Sequence, residues 1–428
     1  MRILDWIDVG KISAERDENL IHYFYDNGTL ASVINNKKSF LLLGRKGAGK
    51  TALFRYLTEN PREFVGDKDT IVSISLDDYS WNVHSLLSQS AAADSLAYRQ
   101  SWKFIFLVEA ISAICRRQNP PKQVQQAKKI LEKIFGSPIP TIFDLVKNKI
   151  LQLSKLKLPK GGLDLEGGDL DSLEFSGGEV EFNEVSTNPD LRSSLLYNIE
   201  GLTKYLETAI QAVKPSEGSV FLCFDRVDEA WDTTSRSVSE KVITGLIAAA
   251  DSITEKYNGV VRPIIFIRED IFETLPLNDK NKLREDCGSL LKWEKDGLIN
   301  MLLKRLNHYA KLVGVEIEDI DSLFDKVQMR QRLKPTDYIL KRTMFRPRDF
   351  VSFMSKVITA LKEDDSDPFS EEKPNREKLA VEAIYSAEPQ YSEWLQKELI
   401  DEWGVQMSHM MSVITRFDVQ MFTYGDGW

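Results

Sequence analysis

The sequence predicts an α/β protein: a parallel sheet with helices on both faces, followed by a helical region. Three observations carry this expectation. Strand-like segments at 39–43, 70–76, 219–224 and 262–267, the first a compact and the third an unbroken apolar run, alternate with stretches of helical periodicity over the first 270 residues, the pattern of a parallel sheet covered on both faces. A glycine-rich segment, GRKGAGKT (Gly44 to Thr51), follows the first run directly and precedes a helical pattern. Beyond residue 270 comparable runs are hard to find, while helical spacing persists.

The bulk numbers bound the function classes. A chain of 428 residues predicts two or three domains, and 42% hydrophobic with 28% charged residues fits a soluble globular protein. The net charge of −9 argues against a general polyanion binder and confines any nucleic-acid contact to a local patch. Three scattered cysteines and four histidines show neither a disulfide framework nor metal-ligand spacing, which points to a reducing cytoplasm. The N-terminus lacks the apolar core and cleavage site of a signal peptide. No run approaches the roughly 20 apolar residues of a membrane helix, so no membrane role is expected. The ending at Trp428 is abrupt and reads as cut from a longer protein.

In order along the chain, residues 1–35 predict a helical lead-in, with Ala14–Asn35 as its helical part. Ser39–Leu43 is the first strand, the glycine-rich loop follows, and Thr51–Leu57 has helical spacing. Thr70–Leu76 is a second strand. Tyr98–Gln118 and Lys122–Phe135 are helices separated by Pro120-Pro121; the latter sets Val124, Ala127, Ile130, Leu131 and Ile134 on one face. The stretch 161–190 holds nine acids and no base. Within it, 173–175 and 180–182 alternate around Gly177-Gly178 as a β-hairpin would. Both a solvated surface insertion and an acidic contact for a basic partner are open readings. Leu191–Val213 is a helix, Ser219–Phe224 a strand, Val238–Ile253 an apolar helix and Arg262–Ile267 a further strand. These place a core at 36–273, with insertions at about 98–190. A helical lid is expected at 274–362, containing Leu298–Val313 and Asp349–Leu361. The charged stretch 362–373 reads as a linker, and 374–428 as a helical or winged-helix-like C-terminal domain, with helices at 379–384, 394–403 and 407–417.

GRKGAGKT fits G-x-x-x-x-G-K-[ST] in full and sits where that motif must sit, between a buried strand and a helix. Gly44, Gly47 and Gly49 allow the backbone to wrap closely, so that N–H groups of Arg45, Lys46, Ala48 and their neighbours face phosphate oxygens. The helix opening near Lys50 adds its positive end, reaching Thr51 and Ala52. Lys50 supplies a point charge for the β- and γ-phosphates, and the Thr51 hydroxyl a ligand for Mg²⁺. The segment VFLCFDRVDEAW is its complement. Asp225 leaves an apolar strand where a carboxylate can hold Mg²⁺, and Asp228 or Glu229 follows closely enough to orient or deprotonate water. Arg268 ends the strand IIFIRED, where a cation can meet a γ-phosphate or pair with Glu269 or Asp270. Arg346 and Arg348, in FRPRDF, open a helix beyond the core; finger-like reach to the nucleotide and pairing with Asp349 are both open. No guanine-reading N-K-x-D segment is found, which favours ATP as the cofactor with Mg²⁺.

Taken together, GRKGAGKT, FDRVDEAW, IIFIRED, LLKWEKDGLINMLLKRL and RPRDF resemble the STAND and KAP-like P-loop ATPases of bacteria, over roughly Asn36 to Ile358. FDRVDE is similar to the hhhhD-x-x-D-E signature of NACHT-type ATPases, and RPRD to the sensor-2 region of that wider group and of the origin-recognition ATPases. The resemblance implies that Lys50 and Thr51 are the Walker A lysine and threonine, Asp225 the Walker B aspartate, Asp228 and Glu229 the downstream acids, and Arg268 the sensor-1 position. Many hydrolysing members carry Glu directly after the Walker B Asp. Arg226 stands there instead, which implies slow or partner-dependent turnover.

The expected function is therefore an ATP-binding and ATP-hydrolysing regulatory switch that forms homo-oligomers or engages an effector protein, with a role in anti-phage defence implied by the resemblance alone. A DNA-dependent ATPase or loader is a second expectation; the net charge weighs against it, although 147–160 is basic. A non-hydrolysing ATP-binding scaffold is a third, and a small-molecule kinase a fourth.

Overall fold

A computed structural model describes residues 2–76, 94–135, 149–157, 174–175, 182–228, 236–366 and 377–403, together with His409. The chain divides into two compact units: Gly28–Gly44 with Leu57–Leu290, and Met1–Asn27 with Arg45–Tyr56 and Leu291–Trp428. Each has its own buried apolar cluster.

The first unit is α/β. Its strands are β1 (Leu41–Gly44), β2 (Thr70–Ser75), β3 (Leu156–Lys157), β4 (Glu174–Phe175), β5 (Val220–Asp225), β6 (Val261–Arg268) and β7 (Gly288–Leu290). Five of them form one sheet in the order β2-β5-β6-β1-β7, and every pairing in it is parallel. All of β1 and β5 and nearly all of β6 are buried, as the apolar runs require of strands covered on both faces. The strand β7 escapes the sequence reading because Gly288-Ser-Leu290 carries no apolar run; it is a short edge strand, registered by Leu41–Leu43 of β1.

Helices Asp94–Cys115, Pro189–Gln211 and Arg236–Lys256 pack in this unit. Trp102 joins the first of them to the sheet and to the third: its indole N–H donates to the Val242 carbonyl at 3.0 Å, and its ring meets Phe224 of β5 edge-on at 6.0 Å. Glu207, almost fully buried, pairs with Lys103 and with Lys256 (2.6 Å), so one carboxylate ties three helices. Burial opposes its charge, but the two ammonium groups prevail and hold its carboxyl below the usual range. The helix Pro189–Gln211 opens at Asn188, whose side chain accepts from the N–H groups of Asp190 and Leu191 at 3.0 and 3.3 Å; Asn-Pro-Asp is a strong start signal. Of the expected acidic hairpin, Glu174–Phe175 is a strand, but it pairs antiparallel with Leu156–Lys157, and Phe182 opens a short helix, Phe182–Thr187. Residues 176–181 lie outside the described ones.

The second unit is helical. It contains the helices Lys295–Lys311, Pro347–Ser366 and Glu382–Trp403. The last was expected as two pieces, yet it runs through Pro389. Tyr391 stacks on Phe353 of the preceding helix at 4.4 Å and 10°, so packing overrides the local proline penalty. The N-terminal helical lead-in consists of a 3-10 turn, Ala14–Arg16, and two short helices, Leu20–Tyr23 and Thr29–Asn35, the last of which belongs to the first unit. The expected helix at 407–417 lies outside the described residues, His409 excepted. Among the described residues, no helix is long and apolar enough to cross a membrane.

Candidate functional site

In the α/β unit the parallel register brings several candidate residues to one edge. Gly44 pairs with Arg268, and Ser75 with Asp225, so β1, β2, β5 and β6 all end at the carboxyl edge of the sheet. Parallel α/β sheets bind their ligands outside this edge. Asp225 is buried, and its carbonyl accepts from the Leu76 N–H at 3.2 Å. The chain turns sharply behind it: Arg226 has a left-handed backbone, φ 58°, unusual for a side chain of its size. Asp228 is half-buried, and Glu229 lies outside the described residues. Arg268 is engaged by Asp270 through two hydrogen bonds, Nε to Oδ1 at 3.0 Å and Nη2 to Oδ2 at 2.6 Å, a bidentate pair two residues apart.

The glycine-rich loop leaves β1 at Gly44, and its remaining residues belong to the helical unit. Gly47 and Gly49 have φ of 80° and 100°, a region in which a Cβ is strained; here the motif's glycines serve the backbone itself. Lys50, Thr51 and Ala52 form the first turn of the helix Lys50–Glu59, and the Lys50 ammonium donates to the Arg45 carbonyl at 3.4 Å. Arg55 anchors that helix by donating to the Asp17 carbonyl at 3.0 Å, and Tyr56 stacks on Phe24 at 4.0 Å.

Three successive loop carbonyls accept from the C-terminal part of the chain. Lys46 O accepts from Arg346 Nη1 at 3.0 Å, Gly47 O from the Arg348 N–H at 3.3 Å, and Ala48 O from the Trp293 indole N–H at 2.8 Å. In a trans peptide the C=O and the following N–H point oppositely. The three donors therefore turn the N–H groups of Gly47, Ala48 and Gly49 to the other side; that of Ala48 closes a turn onto Arg45 O at 3.1 Å.

The arginines are themselves fixed. Arg346 is buried and donates to Asp349 (2.9 Å) and Glu402 (2.6 Å). Burial works against its charge, and the two carboxylates more than restore it. Burial likewise pushes the Asp349 carboxyl up, against the pull of Arg346. Arg348 donates to Glu398 at 3.0 Å, and Lys46 lies 3.4 Å from the same carboxylate. The structure thus gathers Lys46, Gly47, Ala48, Arg346 and Arg348, which the sequence singled out as candidate nucleotide-binding residues, around Trp293, Glu398 and Glu402, which the sequence did not assign to the loop. The latter three carry no local signal: their partners are 50 or more positions away. Among the described residues no cluster of three or more His, Cys, Asp or Glu side chains is arranged to hold a metal; a single carboxylate with a hydroxyl and phosphate oxygens, as Mg²⁺ requires, is a different donor set.

Residues 296–400 match the FunZ-associated C-terminal helical domain. That match spans the helical region containing Arg346, Arg348 and Glu398. The chain is also similar to the "Putative transposon gamma-delta 80.3 kDa protein" of Escherichia coli (strain K12), with 24% identity over 357 residues, covering 81% of this chain and 46% of that protein. The chain thus spans about half the length of the curated relative it matches.

Proposed function

We propose that the chain binds ATP–Mg²⁺ on GRKGAGKT and hydrolyses it as a regulatory switch. The observation that carries this reading is the hold on the carbonyls of Lys46, Gly47 and Ala48, which turns the amide N–H groups of Gly47 and Gly49 to the opposite side, where an anion would be met, while that of Ala48 closes the turn onto Arg45 O. In this reading Lys50 contacts the β- and γ-phosphates. Thr51 gives Mg²⁺ a hydroxyl ligand and Asp225 a carboxylate one. Asp228 and Glu229 are the candidates for orienting water. Arg268 reaches phosphate only by exchanging its pairing with Asp270, a rearrangement suited to sensing.

The fold and the loop support membership among the STAND and KAP-like ATPases, acting as homo-oligomers or with an effector protein. The relative's name points to a mobile element, and we take such a locus, or one of defence against phage, as the setting. The contacts of Arg346 and Arg348 with the loop supply a physical route for a switch, because loop occupancy and the C-terminal helices share hydrogen bonds.

The test is phosphate release from ATP–Mg²⁺ by the wild type, Lys50→Ala and Glu229→Gln, with and without DNA, and with particle size by light scattering. Turnover in the wild type, its loss in both variants and ATP-driven assembly are expected. Absence of turnover above the Lys50→Ala level in every condition would overturn the hydrolytic assignment. One observation favours a second reading, an ATP-binding scaffold without turnover: Arg226, not an acid, follows Asp225. Under that reading the wild type binds ATP and assembles, and Glu229→Gln behaves as the wild type does. Stimulation by DNA would favour a DNA-dependent ATPase instead.

A further inference from the structure

The helical unit carries an open groove of about 640 Å³ between the segment around Leu20–Tyr23 and the helix Lys295–Lys311. Its chemistry differs from that of the chain as a whole. The net charge is −9, yet residues 297–315 contain Lys304, Arg305, His308 and Lys311 and no acid. Asn300, Lys304, His308 and Lys311 recur at three- and four-residue steps, so one helical face presents them to the groove. No carboxylate lines the groove among the described residues. The nearby acid, Asp17, is buried and faces inward, taken up by the Tyr23 hydroxyl and by Arg305 at 3.4 Å.

The groove also presents flat rings. His22 and His308 lie parallel, with centroids 5.7 Å apart and planes 7° from each other. His22 is exposed, so one face of the pair borders open space. Tyr25 lies beneath the Lys304 ammonium at 5.5 Å, and Lys304 is positioned further by donating to the Phe24 carbonyl at 3.0 Å. Lys304 and Lys311 are seven residues apart, about 10 Å along the helix, far enough to meet different phosphates of one extended strand. The exposed ring of His22 with the half-buried rings of His308 and Tyr25 thus stands beside cations spaced along a groove, and rings beside spaced cations are the elements by which proteins hold unpaired bases and their backbone. A duplex hides its base faces, and an acidic protein partner would use the cations but not the rings.

From these observations we infer that this groove is a binding site for single-stranded nucleic acid, with bases on the His22–His308 pair and Tyr25 and phosphates on Lys304 and Lys311. The inference does not depend on the nucleotide reading, since none of these residues belongs to the glycine-rich loop.

The experiment is fluorescence anisotropy of a labelled oligothymidylate with the full chain, without nucleotide, over a series of salt concentrations. Lys304→Gln/Lys311→Gln should weaken binding and flatten the slope of log affinity against log salt by about 1.4, the loss of two single-strand phosphate contacts. His22→Ala should weaken binding about tenfold with little change in that slope, as expected for lost stacking. Unlabelled duplex and inorganic phosphate should compete poorly. The Lys50→Ala variant should bind as the wild type does, which separates this site from the loop. Circular dichroism of each variant shows that it is folded, and Lys304→Ala alone serves if the double variant is not. The inference is overturned if the wild type does not bind, if the folded variants bind with unchanged affinity and slope, or if duplex competes as well as the single strand.

Discussion

At the scale of single residues, the loop depends on two glycines for different reasons. A Cβ at Gly47 would sit 3.0 Å from Arg348 Cβ and on a backbone with φ of 80°, whereas one at Gly49 would meet nothing within 4 Å and suffer only from φ of 100°. The left-handed backbone costs about 1–2 kcal/mol for a non-glycine residue. Gly47→Ala should therefore destabilise the protein more than Gly49→Ala in thermal unfolding, and should weaken ATP binding at least tenfold in calorimetry; equal effects of the two would remove Arg348 from the explanation. Glu398 offers the opposite sign. Its carboxylate accepts from Arg348 and lies near Lys46, two cations beside the loop. Glu398→Gln weakens that hold, so ATP affinity should rise several-fold, and a fall in affinity would show that Glu398 positions the cations rather than competing with phosphate.

At the scale of elements, buried charges far apart in sequence hold the α/β unit. Arg262 of β6 donates to the carbonyls of Ile34 (2.6 Å), Val33 (3.1 Å) and Asn36 (2.8 Å), and so caps the end of the helix Thr29–Asn35. Its guanidinium also lies over the Phe221 ring at 4.7 Å. Arg262→Met should cost about 2–4 kcal/mol in denaturant unfolding, since buried carbonyls lose a charged donor. Glu207 predicts a pH dependence. Its folded-state carboxyl titrates below the value of the unfolded chain, because Lys103 and Lys256 outweigh burial. Its contribution is present above the ordinary glutamate range and is lost as pH falls through the folded value. Glu207→Gln should lower stability by about 2 kcal/mol at neutral pH, and the difference from the wild type should shrink on acidification. Strands β1, β5 and β6 were legible because a strand buried on both faces is largely apolar; the edge strand β2, mostly half-buried with Ser73 exposed, was legible from Ile71, Val72 and Ile74. Arg262 and Glu207 were not, because nothing within a few residues of either reveals a partner.

At the scale of the molecule, two separate apolar clusters predict that unfolding is not a single two-state event. Scanning calorimetry should resolve more than one transition. ATP–Mg²⁺ at a hundred times its dissociation constant should stabilise the binding-competent protein by about 2.7 kcal/mol, and Lys50→Ala should abolish the accompanying shift. A shift that persists in Lys50→Ala would place the nucleotide elsewhere than the glycine-rich loop.

By itself, the sequence determined the class of each long element, the parallel character of the sheet, the position of the glycine-rich loop behind its first strand and the helical nature of the C-terminal half. Each follows from local physics: apolar continuity, helical periodicity and the backbone freedom of Gly47 and Gly49. Only the tertiary structure decided the strand order β2-β5-β6-β1-β7, the addition of β7 and the grouping of residues 1–27 and 45–56 with the C-terminal helices. It alone set Trp293, Arg346 and Arg348 on three consecutive loop carbonyls. The physical reason is range. The donors to those carbonyls lie roughly 250 to 300 residues away along the chain, and the packing that brings them there leaves no periodic trace in the sequence around either partner.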